Sequence, residues 1–247
     1  MANTRDSAMQ FDAPDDCLLF FIDDTGHEDF DGQLVYGLGG CSVMAPQLEP
    51  LIRAPWREIR RVVKGSPDSQ LHANDFPHET TREQQALVGA FFQSQTFGRF
   101  GAVLSTSTNL HTQMSPIQTI AGVMRNRFAQ IAAWQPFNSI AVIFEASERA
   151  DRLIEHAFGE LQASIDDRPI PIECFFMPKS VAEPALEVAD FIAHAIGGQA
   201  RASVVAQAPM RRDFRSVFDI ADQRLVSFMS IASVAFSRPT GNSAPAY

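Results

Sequence analysis

Asp23, Glu145, Glu187 and Asp190 are acids that end or interrupt apolar stretches, at locations where carboxylates could meet. Asp23 follows the apolar run CLLFFI, Glu145 closes NSIAVIF, and Glu187 and Asp190 lie within the nearly apolar stretch PALEVADFIAHAI. Short apolar runs bounded by polar residues read as buried strands, and the last, longer stretch reads as a helix. In open sheets with crossover helices, sites form outside the carboxyl ends of the strands, where side chains from several elements converge. Carboxylates gathered there are hard oxygen ligands for a divalent cation. In the last stretch Glu183, Glu187, Asp190 and His194 are spaced by four, three and four residues, which sets them on one helical face. Such a stripe faces either a metal or polar cleft, because unpaired buried carboxylates are costly, or solvent, where it forms salt bridges. The spacing leaves both open.

The elements that must position these acids follow from the same patterns. Residues 17–23 and 33–44 read as two strands whose short link suits an antiparallel pair. Residues 48–64 and 79–95 have helical spacing, with an interruption before Pro55 left open and an opening at Glu79 to Glu83. Further strands are expected at 97–106, 138–146 and 169–177, and helices at 117–134 and 148–164. A closing helix starts at Pro184, well placed as a first helical residue, and ends at Gly197 and Gly198. Strands that come early and then alternate with helices predict an α/β fold, a mixed sheet with helices on both faces. Within 213–236, FRSVFDIADQ has helical spacing, whereas RLVSFMSIASVAF partly alternates and suits an extra edge strand. The expected organisation is one domain over 16–236, with a helical insertion near 47–96 and a C-terminal extension from about 200. Frayed ends are expected at 1–15 and 237–247.

Composition limits the function classes. The chain has 247 residues, of which 45% are hydrophobic and 20 are Phe, enough to bury a core. No apolar run approaches the roughly 20 residues of a membrane helix, and the N-terminus lacks the basic and apolar regions of a signal peptide. A cytoplasmic protein without membrane contact is expected, with Cys17, Cys41 and Cys174 as reduced core thiols. A net charge of −9 argues against a protein that coats nucleic acid through a basic surface, but not against an enzyme with a local patch. The concentrated source of cations is Arg53, Arg57, Arg60, Arg61 and Lys64; positions 53, 57, 60 and 64 share a helical face, either as phosphate contacts or as a solvated surface. GLGGCS lacks the Lys-Ser or Lys-Thr ending of a phosphate loop, and neither HExxH nor GxSxG occurs.

FFIDDTG, YGLGGCSV, LHANDF, VIFEASER and LEVADFIAHAIGG, in that order, resemble the bacterial family catalogued as domain of unknown function 3800, whose fold is considered RNase H-like. The resemblance spans roughly residues 17 to 200. It implies three antiparallel strands followed by two parallel crossovers, and a carboxylate site with acids on the first strand, the fourth strand and the last helix. Asp23 matches the family's first-strand aspartate, Asp24 its usual Glu, Glu145 its usual Asp and Asp190 its last-helix aspartate. Two departures stand out: Gln70 occupies a position that is often Glu, and Glu187 one that is commonly Gln.

RNase H-like chemistry uses two Mg²⁺ or Mn²⁺ ions about 3.5 to 4 Å apart to activate water and stabilise the leaving oxygen. On that reading Asp23 bridges the metals, and Asp24, Glu145, Glu187 and Asp190 complete the ligand set. His72 or His194 moves protons or binds phosphate, and Arg53, Arg57, Arg60 and Lys64 hold nucleic acid as substrate. The leading expectation is a divalent-metal-dependent nuclease or phosphodiesterase. The alternatives are an inactive module of the same fold that binds nucleic acid or a protein, and a metal phosphohydrolase for small phosphates.

Overall fold

The computed structural model describes residues 12–26, 33–105, 115–132, 137–147, 151–159, 163–165, 168–207 and 229–235. In chain order these form β1 (Cys17–Gly26), β2 (Val35–Met44), a π-helical turn (Glu49–Arg53) that runs straight into α1 (Ala54–Lys64), α2 (Phe76–Glu79), α3 (Arg82–Ser94) and β3 (Gly98–Ser105). There follow α4 (Pro116–Ala132), β4 (Ser139–Glu145), α5 (Asp151–Gly159), the short pair β5 (Ala163–Ile165) and β6 (Arg168–Ile170), and β7 (Ile172–Met177). A 3₁₀ turn (Lys179–Val181), α6 (Pro184–Ala206) and β8 (Met229–Ala235) complete the described chain.

The apolar run from Cys17 to Ile22 is buried on both faces because β1 is an inner strand of a six-stranded sheet of order β7-β4-β1-β2-β3-β8. β1, β2 and β3 pair antiparallel, while β4 pairs parallel with β1, and β7 parallel with β4. This is the antiparallel start and double parallel crossover that the family resemblance implies. Side chains alternate across the strands and so divide the core into two layers. Leu19, Phe21, Ala141 and Ile143 face α1, α3 and α6, where Trp56, Phe91 and Phe191 pack. Leu18, Phe20, Val142 and Phe144 face α4 and α5, against Ile120 and Phe158.

Several local expectations change. The helix expected at 79–95 is two: Thr80 and Thr81 leave helical geometry, and Thr81 caps α3 through a reciprocal box with Gln84. Pro55 does not interrupt the earlier helix: it is the second residue of α1, and the turn before it takes π-helical rather than regular α geometry. The expected fifth strand is divided into β6 and β7. The edge-strand reading of the C-terminal region holds at β8, which pairs parallel with β3; the helical reading of FRSVFDIADQ, residues 1–11 of the end expected to fray at 1–15, and the end at 237–247 lie outside the described residues. Among the described residues no helix is long and apolar enough to cross a membrane.

The largest correction is at Gly197 and Gly198, which do not end α6; the helix runs on to Ala206 and is capped by Gln207 at φ 49°. Gly197 serves packing instead, since a Cβ there would overlap the Thr25 side chain on β1. Gly39 on β2 plays the same part from the sheet side: its Cβ would lie 2.8 Å from the Ala193 Cα of α6. Both glycines let the helix approach the strands closely. We therefore expect Gly39→Ala to cost about 1–3 kcal/mol in denaturant unfolding, the range for overpacking a filled core. Gly198, where an added Cβ would meet nothing within 4 Å, provides the control: Gly198→Ala should stabilise α6 by about 0.5–1 kcal/mol.

Candidate carboxylate site

β1, β4 and β7 run parallel, so their carboxyl ends open on one side of the sheet, and a pocket of about 400 Å³ lies there under the N-terminal half of α6. Asp23 and Glu145 reach it because both stand at odd positions of their strands, on the α6 face, and because Ile22 pairs with Phe144 so that the next residues lie side by side. Asp190 enters from α6, and Gln70 and His72 line the pocket from the loop between α1 and α2. Asp23 is opposite Gly39, where α6 packs tightly on β2. Close packing of the helix thus brings the acids of strand and helix together.

Crowding shows in their protonation. Burial pushes the Asp23 carboxyl well above its ordinary range, and the neighbouring charges of Asp190, Asp24 and Glu145 push it further, against one hydrogen bond from the Asp24 N–H at 2.9 Å. Asp190 is also raised by burial, opposed by the Ala73 N–H at 2.9 Å and by the charges of His72 and His194. His194 is half-buried on α6, does not line the pocket, and is shifted downward by burial.

Glu187 has a task other than the metal binding expected of it. Its carboxylate accepts hydrogen bonds from Trp56 Nε1 at 2.8 Å, Arg60 Nε at 3.0 Å, Arg60 Nη2 at 2.7 Å and the Leu71 N–H at 3.2 Å. Burial pushes this carboxyl up, and those four donors oppose the shift. With Leu71 held by Glu187 and Ala73 by Asp190, the backbone on both sides of His72 is fastened to α6, which presents the imidazole to the pocket. The acidic stripe on α6 is therefore divided: its first two carboxylates make structural contacts, and Asp190 is the one left to face the other acids of the pocket. Glu183 caps the helix by accepting from the Ala185 N–H and pairs with Arg53 at 2.8 Å, and Glu187 anchors a loop.

Within the basic row the expectation fails at Arg60. Arg60, 2% exposed, is enclosed between Glu187, the Ala182 carbonyl and the Pro67 carbonyl, so it has no surface to offer a phosphate. Arg53 is tied to Glu183, Arg57 to Glu49 at 2.9 Å and Lys64 to Glu79 at 2.5 Å. Asp24, expected as a metal ligand, is turned by strand alternation to the α4 and α5 face and does not line the pocket. Lys179, Asn74 and Asp75 do line it, although no sequence pattern singles out the last two. For Lys179 a signal exists, since it follows the carboxyl end of β7, the kind of position where sites form.

The donor chemistry suits a hard divalent cation: oxygen ligands on Asp23, Asp190 and Glu145 with like-charge repulsion to relieve. Among the described residues, however, no three His, Cys, Asp or Glu side chains form a ready-made coordination group. Mg²⁺ tolerates this, because it keeps several waters and takes one or two carboxylates together with substrate phosphate.

Strand order and pocket together define a mixed-sheet α/β protein with acids at its strand ends. No family profile and no curated protein matches the chain. Among solved structures it is similar to Bst-RNase HIII, once as a mutant protein and once in complex with Mn²⁺; both align at 12% identity and a TM-score of 0.35, over 76% and 75% of this chain. The chain spans about half the length of these structures, 55% and 54%.

Two outcomes are expected. Arg60→Ala leaves Glu187 buried without its counter-charge and should cost about 3–5 kcal/mol in denaturant unfolding, whereas Arg57→Ala, at an exposed pair, should cost little. Asp23 and Asp190 have folded values above the unfolded one of about 3.9, so the stability they contribute is complete below that pH and is lost as pH rises through their folded values. Thermal unfolding in a chelator should show this decline, and Asp23→Asn should flatten it.

Proposed function

We propose that the chain is a divalent-metal-dependent phosphoesterase of RNase H-like fold, related to the family of domain of unknown function 3800, that cleaves phosphodiester bonds in nucleic acid or its fragments. The observation that carries the reading is the meeting of Asp23, Glu145 and Asp190, from three separate elements, in one pocket at the strand ends. Asp23 and Asp190 would hold Mg²⁺ or Mn²⁺, with Glu145 reaching it from the half-exposed rim. The cation would supply a more acidic bound water and a counter-charge for the phosphate. His72, exposed and fastened on both sides, is placed to move a proton between the pocket and solvent. Gln70 donates through Nε2 to the Lys179 carbonyl at 2.9 Å, so the amide serves to hold the pocket wall where a carboxylate is common in the family.

A second reading, an inactive module of the same fold, draws support from Gln70 and from the lack of a ready-made three-ligand group among the described residues. Thermal melts with and without Mn²⁺ separate the two. The phosphoesterase reading expects Mn²⁺ to raise the melting temperature by relieving repulsion, Asp190→Asn to lose most of that increment, and Asp23→Asn to lose both the increment and the cleavage of single-stranded, duplex and hybrid substrates. A wild-type protein that gains nothing from Mn²⁺ and cuts none of the three would be a binding module.

A further inference from the structure

The pocket is lined largely by acids, and phosphate entering it needs a cation from the protein as well as any metal. The basic side chains between residues 53 and 64 do not supply one, since each is bound to a carboxylate: Arg53 to Glu183, Arg57 to Glu49, Arg60 to Glu187, Arg61 to Glu58 and Lys64 to Glu79. Lys179 is paired more loosely, with Glu145. It lines the pocket with 61% of its side chain exposed, and its Nζ stands 3.8 Å from Glu145 Oε2, beyond hydrogen-bond distance.

The segment that carries Lys179 is held with unusual thoroughness for a surface connection. Gln70 Nε2 donates to the Lys179 carbonyl at 2.9 Å, Arg60 Nη2 to the Ala182 carbonyl at 2.7 Å, and Arg53 forks onto Glu183 at 2.8 to 3.2 Å. Three side chains from residues 53–70 thus fasten the segment 179–183 at three of its residues, 179, 182 and 183. Ala182 is kept at φ 52°, a left-handed conformation that a residue with a Cβ adopts only at a cost. Strain of this kind persists where surrounding contacts over-determine the backbone. Here they fix the direction from which Lys179 reaches the pocket.

We propose that Lys179 is the phosphate-binding residue of this pocket and that its ligand is a phosphate ester of nucleotide to dinucleotide size, held by the ammonium beside Glu145 at the mouth. This rests on the reading that the pocket handles phosphate esters. The size follows from the cavity of about 400 Å³, within the range of small-ligand sites, and from the self-neutralised row on α1, which leaves no cationic track there for a longer strand. An ammonium suits the task as a point charge on a flexible stem that can follow a nonbridging oxygen.

The test is binding of a 5′-phosphorylated thymidine dinucleotide in Ca²⁺, by titration against wild type, Lys179→Ala and Lys179→Arg, with a mononucleotide and a 20-nucleotide strand as further arms. The clamp uses the backbone carbonyl at 179 and not the side chain, so the variants should fold, and their unfolding curves check this. The expected result is about tenfold weaker dinucleotide binding in Lys179→Ala, a salt dependence shallower by about one ion, substantial recovery in Lys179→Arg, and no tighter binding of the longer strand. Equal binding by wild type and Lys179→Ala would overturn the assignment, as would no binding to wild type at all. Tight binding of the 20-nucleotide strand that ignores Lys179 would overturn it in favour of a polymer track elsewhere. The metal reading fails separately: dinucleotide binding that depends on Lys179 in a protein with no Mn²⁺ melting shift keeps the phosphate site and removes the metal, and the reverse pattern does the opposite.

Discussion

The close seating of α6 on the sheet is the constraint from which the rest of the site follows. A helix can bring its own acids to the acids of a strand only if the two backbones approach closely, and Gly39 and Gly197 remove the side chains that would hold them apart. Ala193 fills the space over Gly39, Thr25 the space over Gly197, and Asp190 lies one turn nearer the helix N-terminus, over the region where Asp23 emerges from β1. An apolar helix face, with Val188, Ala189, Phe191, Ile192 and Ile196 all buried, holds this arrangement against the repulsion it creates between carboxylates.

The second organising contact is the buried pair of Arg60 and Glu187. Desolvating two charges is expensive, and a pair of this kind is weak ground for extra stability compared with apolar packing. Its worth lies in what it orders. Arg60 joins α1 to the connection before α6 and to the loop after α1, while Glu187 gathers Trp56, Arg60 and the Leu71 amide. A loop that would otherwise lie free on the surface becomes a wall of the pocket and carries Gln70 and His72 with it. Removing either partner leaves the other charge stranded, which makes the arrangement an all-or-none device.

The electrostatic balance of the pocket is correspondingly divided. Glu183 and Glu187 are neutralised by Arg53 and Arg60 and support the walls. Among the described residues Asp23 and Asp190 have no such guanidinium partners, and each meets the charge of other carboxylates. A structural acid, Glu187, and a chemically available one, Asp190, thus stand within one turn of the same helix. Their chemistry is identical, and only the partner decides the role.

Residue order along the chain is enough to mark the strands that bear Asp23 and Glu145, the helix that bears Asp190, and the mixed α/β layout, because hydrophobic run length and strand alternation are local properties. It also marks Glu183, Glu187 and Asp190 as sharing one helical face. What that face meets is settled by tertiary contacts. Glu187 and Arg60 are each legible as charged residues at helical spacing, but 127 positions separate them, and no local pattern encodes their pairing. The same holds for Asp24, which the sheet's two-sided packing assigns to the face away from the pocket, and for Gly197, whose helix-ending tendency is overridden by the space it gives to Thr25. Local patterns name the elements and the faces, whereas partners distant in the chain fix charge, exposure and role, since those depend on which surfaces the fold brings into contact.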